Sequence, residues 1–230
     1  MQKLPKSDFT WLNEQEIADF DVNKIDLEGD FGFMVECDLH YPKKLHKLHN
    51  NLTLAPECLE ITNEHLSPYA KEALVLSGCK EKYKDSKLVT TFHDRKNYVV
   101  HIKLFKLYLD LGLKLTKIHR VLKFKQEAFI APYIEMCTKA RQASTNKFDI
   151  NQYKKMANVI FGKTIENVRD YATVKLHTTK ESALKAISKH NYKSHVIISK
   201  KLIQTNHYND VVLLNKPIAI GVTILDLVSN

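Results

Sequence analysis

Two acidic side chains near the start of the chain are candidates for holding a metal ion. Glu36 and Asp38 stand two residues apart at the end of the apolar run of residues 31–37, which is typical of a strand. Side chains two apart on a strand share one face. Carboxylate oxygens suit Mg²⁺ held next to substrate phosphates. An isolated pair of acids at a strand end is also commonly just solvated, so both interpretations stay open.

A second group of residues recurs along a helix predicted at residues 147–169. At about 100° per residue, steps of three, four and seven bring its members to one face. The stripe consists of Lys147, Asn151, Lys154, Asn158 and Phe161, followed by Gly162. Lysine suits phosphate, an aromatic ring can stack on a base, and glycine lets a backbone approach closely. The pattern indicates a nucleotide or nucleic-acid contact, although a solvated face with Phe161 in the core fits the same spacing.

Three histidines, His40, His46 and His49, follow the acids and alternate with lysines. A zinc or nuclease site is one interpretation of this cluster. Zinc sites need three or four ligands, and no cysteine pair or further acid stands at a suitable spacing. Packing or phosphate contacts on a short helical turn are therefore the favoured interpretation of His46 and His49.

The elements that would position these residues follow from apolar spacing and turn residues. We predict a loop at residues 42–70, a charged loop at 80–87, a helix at 95–112 that stops at Gly112, and a helix at 125–143 that Pro132 interrupts. Further along we predict a strand at 172–177, a helix at 179–188 capped by Thr179, a hairpin from 194–204 and 210–215, and a last helix at 218–228. Strands on both sides of a long helical block indicate an α+β fold.

The charge of the chain narrows the classes of partner. Its 35 lysines and arginines exceed its 26 acids, which gives a net charge of +9. This surplus favours polyanionic partners. No stretch approaches the roughly 20 apolar residues of a membrane span, and the first residues lack the apolar segment of a signal peptide. We therefore expect an intracellular protein, in the nucleus or the cytoplasm, without a membrane partner.

The predicted helix at residues 147–169 carries a segment that resembles motif B of family B DNA polymerases. Residues 154–162, KKMANVIFG, match the pattern K-x-x-x-N-S-x-Y-G at its lysine, asparagine and last glycine. Phe161 stands in place of the tyrosine, and Val159 stands in place of the serine.

The acidic segment resembles motif A of the same family. Residues 36–42, ECDLHYP, are similar to D-x-x-S-L-Y-P through Tyr41 and Pro42. Wider phrases, among them LGLKLTKIHRVLKF, FGKTIENVR and LNKPIAIGVTILDL, resemble a protein-primed branch found in Polinton-like transposons and related viruses. The resemblance covers nearly the whole chain from about Phe31 onward, and its phrases occur in the family's order.

This resemblance implies an α+β fold, a partial right-hand polymerase whose palm sheet is interrupted by a helical fingers insertion. The first palm segment, with a preceding N-terminal part, would cover residues 1–90. The helical fingers would cover residues 91–170, and a truncated second palm segment would cover residues 171–230.

The resemblance also implies roles for single residues. The nucleotide-binding residues would be Tyr41, Arg141, Lys154, Asn158, Phe161 and Gly162. Among them Lys154 would bind the phosphates of the incoming nucleotide, and Tyr41 would lie under its sugar and exclude a ribose 2′-OH. Lys147 and Asn151 would contact DNA.

The catalytic and metal-binding acids are implied to be Asp38 and Glu36, around two Mg²⁺ ions. Counting back from Tyr41 places the aspartate of motif A on Glu36, whereas Asp38 is the acid type that the family uses. Both stay candidates, and Asp38 is favoured. Motif C, Y-G-D-T-D-S, is absent, so the Mg²⁺ site is expected to be incomplete in this chain.

The function implied is that of a DNA-directed DNA polymerase of the protein-primed type, as a partial or inactive fragment that binds dNTPs and primer–template DNA. A terminal priming protein is a further implied partner. The alternative is a non-catalytic, basic nucleic-acid-binding protein.

Overall fold

The computed structural model describes residues 2–78 and 84–228. Its helices and antiparallel strands confirm the predicted α+β class. Two compact units make up the chain: residues 1–131 with 222–230, and residues 132–221.

These limits differ from the segments expected at residues 1–90, 91–170 and 171–230. The expected fingers segment is divided between the units, because residues 95–101 and 114–127 are strands in the sheet of the first unit. Strand pairing over long sequence distances determines the limits of the units. The expected segments come from the resemblance, and they stay a prediction.

The first unit is built on antiparallel strands. In chain order they are β1 (Leu4–Trp11), β2 (Phe31–His40), β3 (Glu57–Thr62), β4 (Lys84–Val89), β5 (Arg95–His101) and β6 (Lys114–Glu127). Four of them form one sheet in the order β1-β6-β2-β5, while β3 and β4 form a separate two-stranded sheet. β2 is therefore a central strand, with β6 on one side and β5 on the other.

Alternation along β2 separates a core face from a second face that is partly exposed at Glu36 and Asp38. Val35, Cys37 and Leu39 are fully buried and belong to the hydrophobic core of the first unit. Glu36 and Asp38 occupy the opposite face, because successive side chains of a strand point to opposite sides. The strand predicted at residues 31–37 is thus confirmed, and it extends to His40.

The helices of the first unit are short. They are α1 (Glu14–Ala18), α2 (Lys43–His46), α3 (Pro68–Leu76) and α4 (Ile102–Asp110). The prediction of a helix from residue 95 is wrong, because β5 occupies residues 95–101. His101 then caps α4 by accepting a hydrogen bond from the amide of Lys103 at 3.3 Å. The stop at Gly112 is confirmed, since its φ of +101° is one that glycine adopts without strain.

Two predicted loops of this unit contain strands. Residues 57–62, inside the loop predicted at residues 42–70, form β3 because each residue pairs across to β4, from Glu57 opposite Val89 onward. Of the charged loop predicted at residues 80–87, the last four residues belong to β4, and residues 80–83 lie outside the described residues.

The second unit combines helices with a small sheet. Its elements are α5 (Ala131–Ala143), α6 (Lys147–Thr164), β7 (Ala172–His177), α7 (Lys180–Ile187), β8 (Tyr192–Ser199) and β9 (Leu202–Tyr208), and α8 (Ile218–Val228) leads back to the residues of the first unit. The sheet has the order β7-β9-β8.

Several sequence predictions for this unit are confirmed, whereas the helix predicted at residues 147–169 ends at Thr164. The strand at 172–177 and the last helix match their predicted bounds, and the Thr179 hydroxyl accepts from the Ser182 amide at 3.3 Å as the cap of α7. The hairpin predicted from 194–204 and 210–215 is wrong in its limits. Residues 194–204 already contain parts of both strands, because Ser199 pairs with Leu202 across a two-residue turn, and residues 210–215 form no strand. Pro132 does not break a helix. It lies in the first turn of α5, where its missing N–H removes no helical hydrogen bond.

Candidate functional site

The two acids of β2 lie at a point where the sheet is irregular on both sides. Along β6 the register passes from Arg120, opposite Glu36, to Ile118, opposite Cys37, and so skips His119. A second irregularity occurs along β5 between the partners of Cys37 and Leu39. Such bulges re-aim side chains and are frequent next to active sites. Here they direct groups from both neighbouring strands toward Asp38.

Asp38 is held by one group from each neighbouring strand. The backbone N–H of Asn97 donates to its Oδ1 at 2.8 Å. Nε2 of His119 lies 2.8 Å from the same oxygen, at ion-pair distance, although its N–H direction does not meet hydrogen-bond geometry. Asn97 and then His119 hold the pKa of Asp38 below its ordinary value of 3.8. Oδ2 accepts no hydrogen bond from any residue of the described ranges.

The backbone of Asn97 is strained where it meets Asp38. Its φ of +51° lies in the left-handed region, which asparagine tolerates better than most residues. Strain of this kind costs on the order of 1–3 kcal/mol and persists where the surroundings impose it. The carboxylate of Asp38 is therefore positioned by the fold.

Glu36 has a different environment on the same face. Its Oε2 accepts from Nε of Arg120 at 2.6 Å, and only 16% of its side chain is exposed. The Arg120 guanidinium also lies 5.1 Å from the ring centroid of Trp11, which holds it in place. The charge of Glu36 is thus neutralised by a protein cation, so Glu36 is less available to a metal than Asp38.

A third acid of the first unit, Asp226, is held elsewhere. Its Oδ2 accepts from the backbone N–H of His101 at 2.6 Å, and burial raises its pKa. His101 pairs with Met34, four residues along β2 from Asp38, which corresponds to about 13 Å at 3.3 Å per residue. Asp226 and Asp38 are therefore not brought together.

The candidate ligands of the first unit do not fit a two-metal site. Within residues 2–78 and 84–228, no group of three or more His, Cys, Asp or Glu side chains has a geometry that could hold a metal ion. Asp38 offers one oxygen without a hydrogen bond from a described residue, and Glu36 is occupied by Arg120. The described side chains of β2 therefore do not form a complete Mg²⁺ site.

Tyr41 lies inside the core of the first unit. Only 2% of the residue is exposed, and its hydroxyl lies 2.8 Å from Nδ1 of His49 and accepts from the Leu54 amide at 3.3 Å. Its ring meets Phe92 edge to face at 5.3 Å. The predicted contact with a nucleotide sugar stays a prediction, and it requires this ring to become accessible.

The three histidines do not share a site in the described chain. His40 lies 2.9 Å from Asp94 through Nδ1, on the exposed side. His46 stacks on Phe92 at 4.4 Å, and His49 contacts Tyr41. This placement fits the packing interpretation of His46 and His49.

The stripe on α6 is exposed. The described structure leaves Lys147, Asn151, Lys154 and Asn158 open to solvent, and Phe161 half-buried. Apart from its chain neighbours and the backbone of α6 itself, no described atom lies within 4 Å of the place that a Cβ on Gly162 would take. The helix begins regularly, because Asn146 accepts from the Phe148 amide at 2.9 Å. Arg141 is exposed in the last turn of α5.

The structure therefore divides the predicted residues into two groups. Glu36, Asp38 and Tyr41 belong to the first unit, while Arg141 and the stripe on α6 belong to the second. Sequence reasoning missed Asn97, His119 and Arg120 as partners of the acids. They lie about 60 to 80 residues further along the chain, and only strand register brings them to β2.

Comparison of the chain with protein-family models, with curated proteins and with solved structures found no match. Among the described helices, none is both long enough and apolar enough to cross a membrane.

Proposed function

We propose that the chain is the nucleotide- and DNA-binding part of a DNA-directed DNA polymerase of the protein-primed family B type, with an α+β fold that forms part of a right hand. One observation carries the proposal: the segment that resembles motif B forms an exposed helical face of lysines and amides with an open glycine. A face of this kind suits phosphates and bases.

On α6, Lys154 would bind the phosphates of the incoming nucleotide as a compact point charge. Asn158, Phe161 and Gly162 would line the nucleotide pocket. Asn151 and Lys147, one and two turns earlier, would contact the DNA. Arg141 would be a further triphosphate contact, because an exposed guanidinium can bind phosphate through two hydrogen bonds.

On β2, Asp38 is our candidate for the first Mg²⁺ ligand. Its Oδ2 accepts no hydrogen bond from the described residues, and its pKa is lowered, so the carboxylate is ionised at neutral pH. Glu36, the other candidate, is paired with Arg120. Two-metal chemistry needs carboxylates from two places, and the described chain offers them on β2 alone.

The resemblance leads us to propose primer–template DNA, dNTPs and a terminal priming protein as partners, in the nucleus or the cytoplasm. A second candidate function is a non-catalytic, basic nucleic-acid-binding protein. It is favoured by the pairing of Glu36 with Arg120, which leaves Asp38 without a second acid to share a metal.

The test is salt-dependent binding of a labelled primer–template duplex, followed by fluorescence anisotropy. Each phosphate contact contributes roughly 0.9 to the slope of log affinity against log salt. The double substitution Lys147→Ala with Lys154→Ala should lower that slope by roughly 0.9, because Lys147 is the DNA contact of this pair. The control, Lys200→Ala with Lys201→Ala in the exposed β8–β9 turn, removes the same charge. Equal loss of slope in both variants would overturn the assignment to α6.

Nucleotide binding separates the two candidate functions. The polymerase proposal expects dNTP affinity that depends on Lys154. The alternative expects DNA binding with no specific affinity for a dNTP.

A further inference from the structure

Three lysines of the second unit surround a cleft that none of the predicted site residues touches. Lys175 comes from β7, Lys185 from α7, and Lys189 follows α7. Together with Thr179 and Ser182 they line a cavity of about 540 Å³. The cleft lies on the side of the sheet that carries α7, because Lys175 and His177 share one face of β7.

The charge in this cleft is not balanced by the protein. None of the three lysines forms an ion pair with a residue that the structure describes, and Glu181 is the only acid among the lining residues. The pKa of the nearby His207 reflects the same positive charge. Burial lowers this pKa most, and Lys175 and Lys189 lower it further. Unpaired ammonium groups in a concave site attract anions.

A second cleft of about 430 Å³ adjoins the first, since Lys175 and Lys189 line both. Tyr208 lines it as well and is about half exposed, with the ammonium of Lys193 at 5.1 Å from its ring centroid. Asp210 is the acid of this cleft, and it lies 3.2 Å from His190. An exposed ring among lysines is the arrangement that holds single-stranded nucleic acid, with bases stacked and phosphates paired.

A hydrogen-bonded network joins side chains that line the two clefts, since His177 lines the first and His207 the second. His177 contacts the hydroxyl of Ser182 at 2.7 Å and that of Thr205 at 2.9 Å. His207 contacts the same Thr205 hydroxyl at 3.0 Å, and Thr205 is fully buried. A connected polar network of this kind fixes β7, β9 and α7 relative to one another. The lysines therefore project from a fixed frame.

We propose that these two clefts bind consecutive backbone phosphates of a single-stranded nucleic acid, and that Tyr208 stacks on one of its bases. The choice of nucleic acid as the ligand rests on the proposed function. The residues that line the clefts are different from the site residues of α6. The shared lysines favour a strand over a small phosphate compound, because one phosphate cannot fill both clefts while a strand presents several in succession.

The experiment measures binding of a fluorescein-labelled 20-nucleotide oligo-dT to the full chain across a range of salt concentrations. Replacing Lys175, Lys185 and Lys189 by Gln keeps their aliphatic stems and removes three charges. At roughly 0.7 per phosphate contact on single strands, the slope of log affinity against log salt should fall by about 2. The control replaces the exposed Lys139, Lys200 and Lys201 by Gln and should leave the slope nearly unchanged.

Tyr208 tests the stacking part of the proposal. Tyr208→Ala should weaken oligo-dT binding about fivefold or more, whereas Tyr208→Phe should retain it. Thermal unfolding of every variant checks that the fold is intact. Equal slopes in the lysine variant and its control would overturn the proposal. So would calorimetric binding of pyrophosphate that depends on the three lysines while oligo-dT binding does not, since the ligand would then be a small phosphate compound.

The same assay keeps this inference separate from the proposed function. If Lys147→Ala with Lys154→Ala leaves DNA binding unchanged while the cleft variant weakens it, the assignment to α6 fails and the clefts stand. If only the α6 variant weakens binding, the clefts are not a nucleic-acid site.

Discussion

The face of β2 that carries Glu36 and Asp38 and the exposed face of α6 hold their polar groups in opposite ways. On β2 each acid has a protein partner: Asp38 has the strained Asn97 amide and His119, and Glu36 has Arg120. On α6, Lys147 and Lys154 have no ion-pair partner in the part of the chain that the structure describes. The sheet fixes geometry before any ligand arrives, whereas the helix offers charge on side chains that a ligand must order.

That difference has an energetic meaning. Ordering a long side chain costs about 0.5–1.5 kcal/mol on binding, so the lysines of α6 pay this cost at each encounter. Asp38 is already ordered in the free protein, because the two bulges and the left-handed residue Asn97 hold its side chain in place. Binding therefore does not have to order it. We expect substitutions around β2 to change stability and geometry, and substitutions on α6 to change affinity alone.

The largest effect should come from the acids themselves. Residues 1–230 should show no primer extension with Mg²⁺, because two-metal chemistry needs carboxylates from two places. On our proposal, adding a strand–turn–strand with the aspartate pair of motif C from a protein-primed family B polymerase should restore extension. In that extended chain, Asp38→Asn should reduce extension to the level of the reaction without protein.

The matched variant is Glu36→Gln. Because Arg120 neutralises Glu36, this variant should keep most of the restored activity. Loss of activity in Glu36→Gln with retention in Asp38→Asn would reverse our assignment of the metal ligand.

Arg95, which lies on β5 opposite Leu39 of β2, tests how much the buried contacts of this region contribute to stability. It is 3% exposed, and its guanidinium donates to the carbonyls of Ala55 and Thr91 and lies 2.9 Å from Glu57. Removing one partner of a buried ion pair costs on the order of 3–5 kcal/mol, so Arg95→Ala should lower the free energy of unfolding by about that much in a urea titration.

An exposed arginine of the second unit is the control for this measurement. Arg141 is exposed on α5, and Arg141→Ala should change stability by at most about 0.5 kcal/mol. If both variants lose a similar free energy of unfolding, the two regions do not differ in how firmly their side chains are held.

Asn97 tests the strain beside Asp38. A left-handed conformation costs roughly 1–2 kcal/mol for a residue with an ordinary side chain, so Asn97→Ala should destabilise the protein by about 1 kcal/mol. Asn97→Gly accepts the same φ without a Cβ and should be close to neutral. Chemical denaturation of both variants measures the difference, and equal stabilities would show that this position is not strained.

The smallest effect concerns pH. Because the pKa of Asp38 is lowered in the folded protein, its stabilising contribution is complete above its unfolded pKa and is lost as pH falls through the folded pKa. This loss of stability should occur below about pH 4, and the Asp38→Asn variant should not show it. A carbon-detected NMR titration of the Asp38 carboxyl should give a midpoint below 3.8; a midpoint at or above that value would contradict the contacts from Asn97 and His119.

Local patterns predicted what depends on neighbours along the chain. The strand at Phe31–Cys37, the cap at Thr179 and the stop at Gly112 each follow from a few adjacent residues. The exposure of the α6 stripe also follows from helical spacing alone. These elements need no knowledge of distant pairing.

Pairing between distant segments could not be predicted in this way. Residues 95–101 carry Tyr98 at a helical step from Ile102, yet they pair with β2 as a strand. β1 and β3 are short and largely polar on one side, so only their partners β6 and β4 make them strands. The partners of Asp38 and Glu36 lie on β5 and β6 for the same reason.

The most direct test of the proposed function compares two ligands on one variant. Lys154→Ala and the control Lys200→Ala are titrated with a dNTP in the presence of Mg²⁺ and, separately, with primer–template DNA. Loss of a charge-assisted contact is worth roughly 1.5–3 kcal/mol, so dNTP affinity should fall by about one to two orders of magnitude in Lys154→Ala, with a much smaller loss for DNA. If dNTP and DNA affinities fall equally, or if the control behaves like Lys154→Ala, α6 is a general phosphate contact and not the nucleotide-binding face of a polymerase.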